Sequence, residues 1–180
     1  MVLITDDKKD VMYMELTYKT AKEHPDLNRN KAVGAVIVKD GRVVTKGWRW
    51  TANLWMDPLV QICFHAEHMA LLKADSQAEG ATLYVTMEPC THRVQSIHFP
   101  SPVDCVTLIT SAKIARVVFG IRDEYSTSVA RLTQAGIEVA QAKIDEERYR
   151  KLTENPWYPD ETAKKATQQF NSNIGYDADG

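Results

Sequence analysis

Short runs of β-branched residues alternate with segments of helical spacing along most of this chain, and this alternation constrains the fold more than any other feature. Strands that are separated by helices pair in parallel through right-handed crossovers. Residues 32–38 form one apolar run, Asp40-Gly41 follows it, and residues 42–48 form the next, which is a strong signal for a type I′ hairpin. The sequence therefore predicts an α/β fold, a three-layer α/β/α sandwich around a five-stranded mixed sheet.

The predicted elements follow from apolar periodicity and from helix-capping residues. A helix over residues 101–112 has the fullest set of start signals, with Ser101 as N-cap, Pro102 as first residue and Asp104 as the acid of the first turn. Residues 50–62 and 87–100 are predicted loops. The other predicted helices are 7–24, 66–75, 127–135 and 145–154, and the predicted strands are 32–38, 42–48, 82–86, 116–121 and 137–140.

The length of 180 residues and the 44% share of hydrophobic residues are typical of one ordinary domain. We expect this domain to comprise residues 1–155, followed by a partly flexible C-terminal tail at residues 156–180. The net charge of −2 favours a small substrate over a nucleic acid. Three cysteines without a secretory signal, and no apolar stretch of membrane-spanning length, predict a cytoplasmic protein that does not bind membranes.

His65, Cys90 and Cys105 form a candidate metal site. A catalytic zinc ion takes three protein ligands and leaves a fourth position for water. Each of the three residues lies at a predicted helix entrance or in the loop before one, where a helix N-terminus favours thiolate over thiol. Glu67 is better placed to move protons than to be a ligand, because a fourth protein ligand would close the site. We therefore predict Zn²⁺ as cofactor and Glu67 as proton shuttle.

The HAE triplet at residues 65–67, followed by Pro89-Cys90, resembles the H-x-E…P-C signature of the zinc-dependent cytidine and deoxycytidylate deaminase superfamily. The resemblance covers roughly residues 13–139. It implies a cytidine deaminase-like catalytic domain in which the three candidate ligands bind zinc and Glu67 is the general acid/base. The implied reaction is hydrolytic: hydroxide adds to a ring carbon that bears an amine, and ammonia leaves.

The spacing of the two cysteines departs from the common pattern, in which two residues separate them. Fourteen residues separate Cys90 from Cys105. Either an inserted loop displaces the second ligand into the later helix, or Cys105 is a core residue and the site is degenerate. A widened spacing is also typical of the pyrimidine deaminases of riboflavin biosynthesis, the type that this chain resembles most. Cys63 is interpreted as a packed thiol, because the superfamily pattern does not use that position.

Four further residues are expected to contact substrate because of this resemblance. The segment at residues 30–34, Asn-Lys-Ala-Val-Gly, is similar to the N-P-x-V-G segment of the riboflavin-pathway deaminases, whose Asn contacts the ring. Asn30 is therefore expected to contact substrate, and the resemblance implies the same for Ala66, Glu88 and His92. His68, which follows Glu67, is expected to support the helix.

The resemblance implies an enzyme that removes an exocyclic amine from a small amino-heterocycle, most closely a pyrimidine nucleotide-like compound of the riboflavin-pathway type. Two alternatives remain open: a deoxycytidylate or tRNA adenosine deaminase, and a non-catalytic zinc-binding subunit with the deaminase fold. The acidic balance of charges disfavours the tRNA substrate. Members of the superfamily commonly assemble, so the resemblance also implies a homo-oligomer, either a dimer or a tetramer.

Overall fold

The computed structural model describes residues 2–24, 32–54, 57–91, 95–96, 99–100, 104–123, 126–143 and 147, and the structural statements below concern these residues. None of the helices in this part of the chain is long and apolar enough to cross a bilayer. The helices are α1 (Lys8–Glu23), α2 (Ala66–Ala74), α3 (Cys105–Ser111) and α4 (Ser128–Gln134), and a 3₁₀ helix (Asp75–Ala78) follows α2. The strands are β1 (Leu3–Thr5), β2 (Gly34–Lys39), β3 (Arg42–Trp48), β4 (Trp50–Leu54), β5 (Asp57–Phe64), β6 (Thr82–Met87), β7 (Gln95–Ser96), β8 (Phe99–Pro100), β9 (Arg116–Ile121) and β10 (Glu138–Ala142).

Six strands form the central sheet, in the order β1-β10-β9-β6-β2-β3. β1, β10, β9 and β6 run parallel to one another, whereas β2 is antiparallel to both β6 and β3. The predicted α/β class and mixed sheet are confirmed, but the predicted number of five strands is wrong. The sixth strand is β1, which has three residues and is too short to show a period in the sequence. It pairs Leu3 with Ala140, near the other end of the described chain.

Two hydrophobic cores lie on the two faces of this sheet. Side chains alternate along β2, so Val36 and Val38 pack in the core under α1, whereas Ala35 and Ile37 pack in the opposite core. Residues of α2, α3 and α4 belong to this second core, where Phe119 is fully buried. The predicted three-layer arrangement is thereby confirmed.

The hairpin between β2 and β3 turns at Asp40 and Gly41, as predicted. Both residues have a positive φ, 51° and 72°, which is the backbone of a type I′ turn. The pairing shifts register between Ile37 and Val38, at a bulge. The hairpin makes β3 an edge of the sheet, and α2 packs against β3.

Three predictions in the long connections are wrong. The predicted loop 87–100 contains the short antiparallel pair β7–β8. Residues 50–62 were expected to form a loop, but residues 50–54 and 57–62 lie in the antiparallel pair β4–β5, in which Trp50 pairs with Phe64. A proline and the lack of polar alternation obscure these strands. The third helix begins at Cys105, and its N-cap is Asp104. Residues 101–103, most of the predicted helix 145–154 and the predicted tail lie outside the described residues.

A buried ion pair ties α1 to the edge of the sheet where β6 and β9 begin. The guanidinium of Arg116 donates to both carboxylate oxygens of Asp10, at 2.7 and 2.9 Å, and the hydroxyls of Thr5 and Tyr84 donate to the same oxygens. Burial raises the pKa of Asp10, but these hydrogen bonds outweigh it and lower the pKa to about 2. Arg116 also donates to Glu138 at 2.7 Å.

The two carboxylates on Arg116 offer a matched test of burial. The side chain of Asp10 is 5% exposed and that of Glu138 is 60% exposed. We expect Asp10→Asn to lower the free energy of unfolding by about 3 kcal/mol, because it removes one charge of a buried pair. Glu138→Gln should cost less than about 1 kcal/mol, because water screens that pair. Urea unfolding measures both, and equal losses would contradict a dominant role for the buried contact.

The stabilisation from Asp10 should depend on pH with a defined sign. Because the pKa of Asp10 is about 2 in the folded chain and 3.8 as the ordinary value, folding favours the ionised form. The difference in unfolding free energy between the wild type and Asp10→Asn should be constant above about pH 4 and shrink as the pH falls towards 2. A difference that stays constant down to pH 2 would show that the contribution of Asp10 does not come from its charge.

Candidate metal centre

The three predicted zinc ligands come from three chain segments that meet where β6 ends. His65 follows β5 and is the N-cap residue of α2. Cys90 follows β6, and Cys105 is the first residue of α3, which lies in the crossover from β6 to the parallel strand β9. Side chains that follow the carboxyl ends of parallel strands gather at one edge of the sheet, which is where sites form in such folds.

The ligand atoms of these three residues are in mutual contact. Nδ1 of His65 lies 3.3 Å from Sγ of Cys105 and 3.5 Å from Sγ of Cys90, and the two sulfur atoms are 3.2 Å apart. Donors around a tetrahedral zinc ion, with bonds of about 2.0 to 2.3 Å, are about 3.5 to 3.8 Å from one another. One imidazole and two thiolates at this spacing fit zinc after a small outward movement.

Glu67 lies beside this cluster on the first turn of α2. Its side chain is buried, with 4% of the residue exposed, and it hydrogen-bonds with the thiol of Cys105. Burial raises the pKa of Glu67. A carboxyl group that borders the ligands is in the position that proton transfer to or from a reactant at the metal requires.

The three ligands hold their protons unequally. The hydrogen bond with Cys105, followed by that with His65, lowers the pKa of Cys90 to about 4 against the effect of burial. The same contact with Cys90, together with burial, raises the pKa of Cys105. Burial lowers the pKa of His65, but hydrogen bonds with Cys63 and Cys90 outweigh it and raise the pKa to about 10. Zinc takes a neutral imidazole and thiolates as ligands, so zinc held by these three side chains would displace protons from His65 and Cys105.

The helix that carries His65 and Glu67 lies close to β3. A Cβ atom at Gly47 would collide with the carbonyl oxygen of Ala66 and the backbone nitrogen of Ala70. Glycine at this position therefore lets the backbone at the start of α2 pack closely against β3. Ala66 is fully buried at this contact, and its predicted contact with substrate remains a prediction.

Glu88 is engaged by donors of the protein itself. Its Oε1 accepts a hydrogen bond of 2.6 Å from the hydroxyl of Ser128, and its Oε2 accepts one of 3.1 Å from the backbone N–H of Asp123. The sequence contains no sign of this link, because Ser128 resembles any polar residue at a helix start. The predicted substrate contact of Glu88 is untested, and Asn30 and His92 lie outside the described residues.

Two neighbours of His65 have contacts that bear on its orientation. Cys63, predicted as a packed thiol, is half-buried and hydrogen-bonds with His65. This contact was not predicted, although an extended segment places residues two apart on the same side. The ring of His68 lies 5.7 Å from that of His65, and its Nε2 is buried without a hydrogen-bond partner among the described residues.

Residues 7–121 match the family described as the cytidine and deoxycytidylate deaminase zinc-binding region. The chain belongs to this family. The matched region contains the three clustered ligands and Glu67, and the predicted zinc cofactor is confirmed by the family together with the grouping of the donor atoms.

Relatives of this family member are riboflavin biosynthesis proteins. RibD of Aquifex aeolicus is 38% identical over 151 residues, which is 81% of this chain and 38% of that protein. The structure of Acinetobacter baumannii RibD is similar with a TM-score of 0.64 at 33% identity, over 81% of this chain and 38% of that one. The diaminohydroxyphosphoribosylaminopyrimidine deaminase/5-amino-6-(5-phosphoribosylamino)uracil reductase of Thermotoga maritima gives 0.63 at 32% identity, over 81% and 39%. The chain thus spans about two fifths of the length of these relatives.

The ligand set can be tested with a control cysteine that is close in sequence. We expect Cys105→Ala and Cys90→Ala to lose stoichiometric zinc, because two remaining donors hold the ion far more weakly. Cys63→Ala should keep one zinc ion per chain, because its sulfur is not among the clustered ligand atoms. Metal analysis after gel filtration gives the stoichiometry. Zinc retained by Cys105→Ala and lost by Cys63→Ala would replace one cysteine with the other in the ligand set.

Proposed function

We propose that this family member is a zinc-dependent hydrolytic deaminase that removes an exocyclic amine from a small amino-heterocycle. The observation that carries the proposal is the convergence of one imidazole nitrogen and two sulfur atoms within 3.5 Å of one another, with the buried carboxyl group of Glu67 beside them. Such a site holds a metal on three ligands and leaves room for a reactant next to a proton-transfer group.

A pyrimidine nucleotide-like substrate of the riboflavin-pathway type is the proposal for this site. Its support is the identity of 32 to 38% to proteins named for riboflavin biosynthesis. The name of the Thermotoga maritima protein includes the deamination of a phosphoribosylaminopyrimidine. The clustered candidate zinc ligands correspond to a deaminase and not to a reductase, since a reductase requires a hydride donor and no hydrolytic metal.

The proposed reaction exchanges the amine for an oxygen atom: one water molecule is consumed and one ammonia molecule is released. When bound, zinc supplies a water molecule that ionises near neutral pH. Glu67 would transfer two protons in turn, one from the attacking water to the ring nitrogen and one from the hydroxyl group added at the ring carbon to the departing amine. His65, Cys90 and Cys105 hold the metal, and the burial of Glu67 keeps bulk water away from the proton it carries.

Glu67→Gln separates proton transfer from metal binding. The substitution keeps the volume of the side chain and removes its capacity to carry a proton. We expect unchanged zinc content, unchanged secondary structure and a loss of about 10²- to 10⁴-fold in ammonia release. The wild type should release ammonia from a phosphoribosylaminopyrimidine faster than from deoxycytidylate or adenosine in tRNA. Glu79→Gln is the control, because Glu79 is an exposed partner of Lys113 away from the cluster.

The outcomes distinguish the proposal from its alternatives. Faster release from deoxycytidylate would reassign the substrate, and activity on tRNA that falls steeply with added salt would indicate the tRNA reading. One zinc ion per wild-type chain with no release from any compound would favour the non-catalytic subunit. Full activity of Glu67→Gln would remove Glu67 from the mechanism.

The remaining features of the proposed enzyme rest on the sequence. We propose a catalytic domain at residues 1–155, a homo-oligomeric assembly as a dimer or tetramer, and a cytoplasmic location. The net charge of −2 supports a small molecule as the partner in place of a nucleic acid.

A further inference from the structure

The two cysteine ligands lie side by side although the chain between them is long. Their sulfur atoms are 3.2 Å apart, while fourteen residues separate Cys90 from Cys105. Ligands in adjacent turns of one helix inherit their spacing from the helix itself. A connection of this length imposes no such distance, so the relative position of the two sulfur atoms has to be held by contacts across the fold.

The position of Cys105 is fixed by hydrogen bonds of the preceding residue, Asp104. Oδ1 of Asp104 accepts hydrogen bonds from the backbone N–H and the hydroxyl of Thr107, at 2.8 and 3.0 Å. Oδ2 of Asp104 accepts a hydrogen bond of 2.9 Å from Arg131, which also donates to the hydroxyl of Thr107 at 3.1 Å. The cap and the guanidinium together fix the start of α3, and Cys105 is the first residue of that helix.

Cys90 is held through Glu88, two residues before it. The buried carboxylate of Glu88 accepts the hydrogen bond of 2.6 Å from the hydroxyl of Ser128, which is fully buried. Ser128 and Arg131 both belong to α4, three residues apart. Residues at this spacing are neighbours on one face of a helix, so a single helix face contacts the segments of both cysteines.

The helix itself has a fixed position. Leu132 of α4 is fully buried in the core that also contains Cys105, Val106 and Phe119. The backbone N–H of Val106 donates to the carbonyl oxygen of Cys90 at 3.4 Å, so the two ligand segments also contact each other directly. The segments of Cys90 and Cys105 are therefore linked twice, once through α4 and once by this backbone hydrogen bond.

We propose that α4 is a brace for the zinc centre, in which Ser128 and Arg131 are positioning residues that set the distance between Cys90 and Cys105. The brace consists of the links Ser128–Glu88 and Arg131–Asp104. It replaces the short covalent connection of the common motif, and it rests on the ligand set in the proposed function. Ser128 contacts Glu88, and Arg131 contacts Asp104 and Thr107, so both act on the cysteines through the neighbouring segments.

Zinc affinity, measured by competition with a chelating dye, tests the brace independently of activity. We expect Ser128→Ala and Arg131→Met each to weaken zinc binding by about 10- to 100-fold, as loss of the groups that orient metal ligands usually does. The zinc affinity of Arg131→Lys should fall between those of Arg131→Met and the wild type. Lysine keeps a positive charge next to Asp104 but lacks the second N–H group that donates to Thr107. The fold-loss of zinc affinity in the double variant should be smaller than the product of the two single fold-losses, because both links hold the same distance between the two sulfur atoms.

Two matched substitutions control for general effects on the same helices. Gln134→Met changes a long polar residue of α4 that is exposed, and Ser111→Ala changes an exposed serine at the end of α3. Both should bind zinc within twofold of the wild type. Substitution of cobalt for zinc provides a second readout, because the sulfur-to-cobalt charge-transfer absorption should be weaker in Ser128→Ala and Arg131→Met and unchanged in the controls.

The outcomes separate the brace from the proposed function. A wild type that binds no zinc would overturn both. A wild type that binds zinc, together with Ser128→Ala and Arg131→Met variants of unchanged affinity and cobalt spectrum, would overturn the brace alone, even if these variants unfold more easily. If Ser128→Ala fails to fold, Arg131→Met decides, because its side chain is 39% exposed and its loss leaves the core intact.

Discussion

The mutual approach of His65 Nδ1 and two cysteine sulfur atoms within 3.5 Å is the constraint on which the rest of the structure depends. Two thiolates at this distance repel each other strongly unless a cation lies between them. The framework therefore has to bring the donors together by packing and hydrogen bonds. The hydrogen bond between the two thiol groups raises the pKa of Cys105 and lowers that of Cys90.

The sheet supplies this framework because parallel and antiparallel strands meet at β6. β6 and β9 are parallel, so the segments that follow them point to the same edge, whereas β2 lies antiparallel beside β6. The crossover from β6 to β9 passes over the core face and brings α3 beside α2, where the two helix starts meet. His65 and Cys105 come from these helix starts, and both helices are anchored in one core. Of the three candidate ligands, Cys105 is buried, whereas His65 and Cys90 are half-buried.

Much of this arrangement can be predicted from local sequence. The rest cannot, and the cause is physical. Asp40-Gly41 predicts its own turn because the signal and the turn are the same two residues, and the HAE triplet with Pro89-Cys90 indicates candidate donors because these short motifs combine uncommon residue types. The links of Glu88 to Ser128 and of Asp104 to Arg131 join residues 40 and 27 positions apart. Polar residues at helix starts occur for many reasons, so nothing local identifies their partners. The strand β1 was not predicted for the same reason, since its pairing with β10 decides its conformation.

The cost of the wide cysteine spacing can be compared with the contacts that offset it. Closing a connection of about fifteen residues in place of about three costs roughly 1.4 kcal/mol more in chain entropy, as (3/2)RT ln n with n five times larger. A buried hydrogen bond to a charged group, such as that from Ser128 to Glu88, contributes about 1.5 to 3 kcal/mol. The partly exposed pair of Arg131 and Asp104 adds less. These two links are therefore of the size needed to offset this entropic cost.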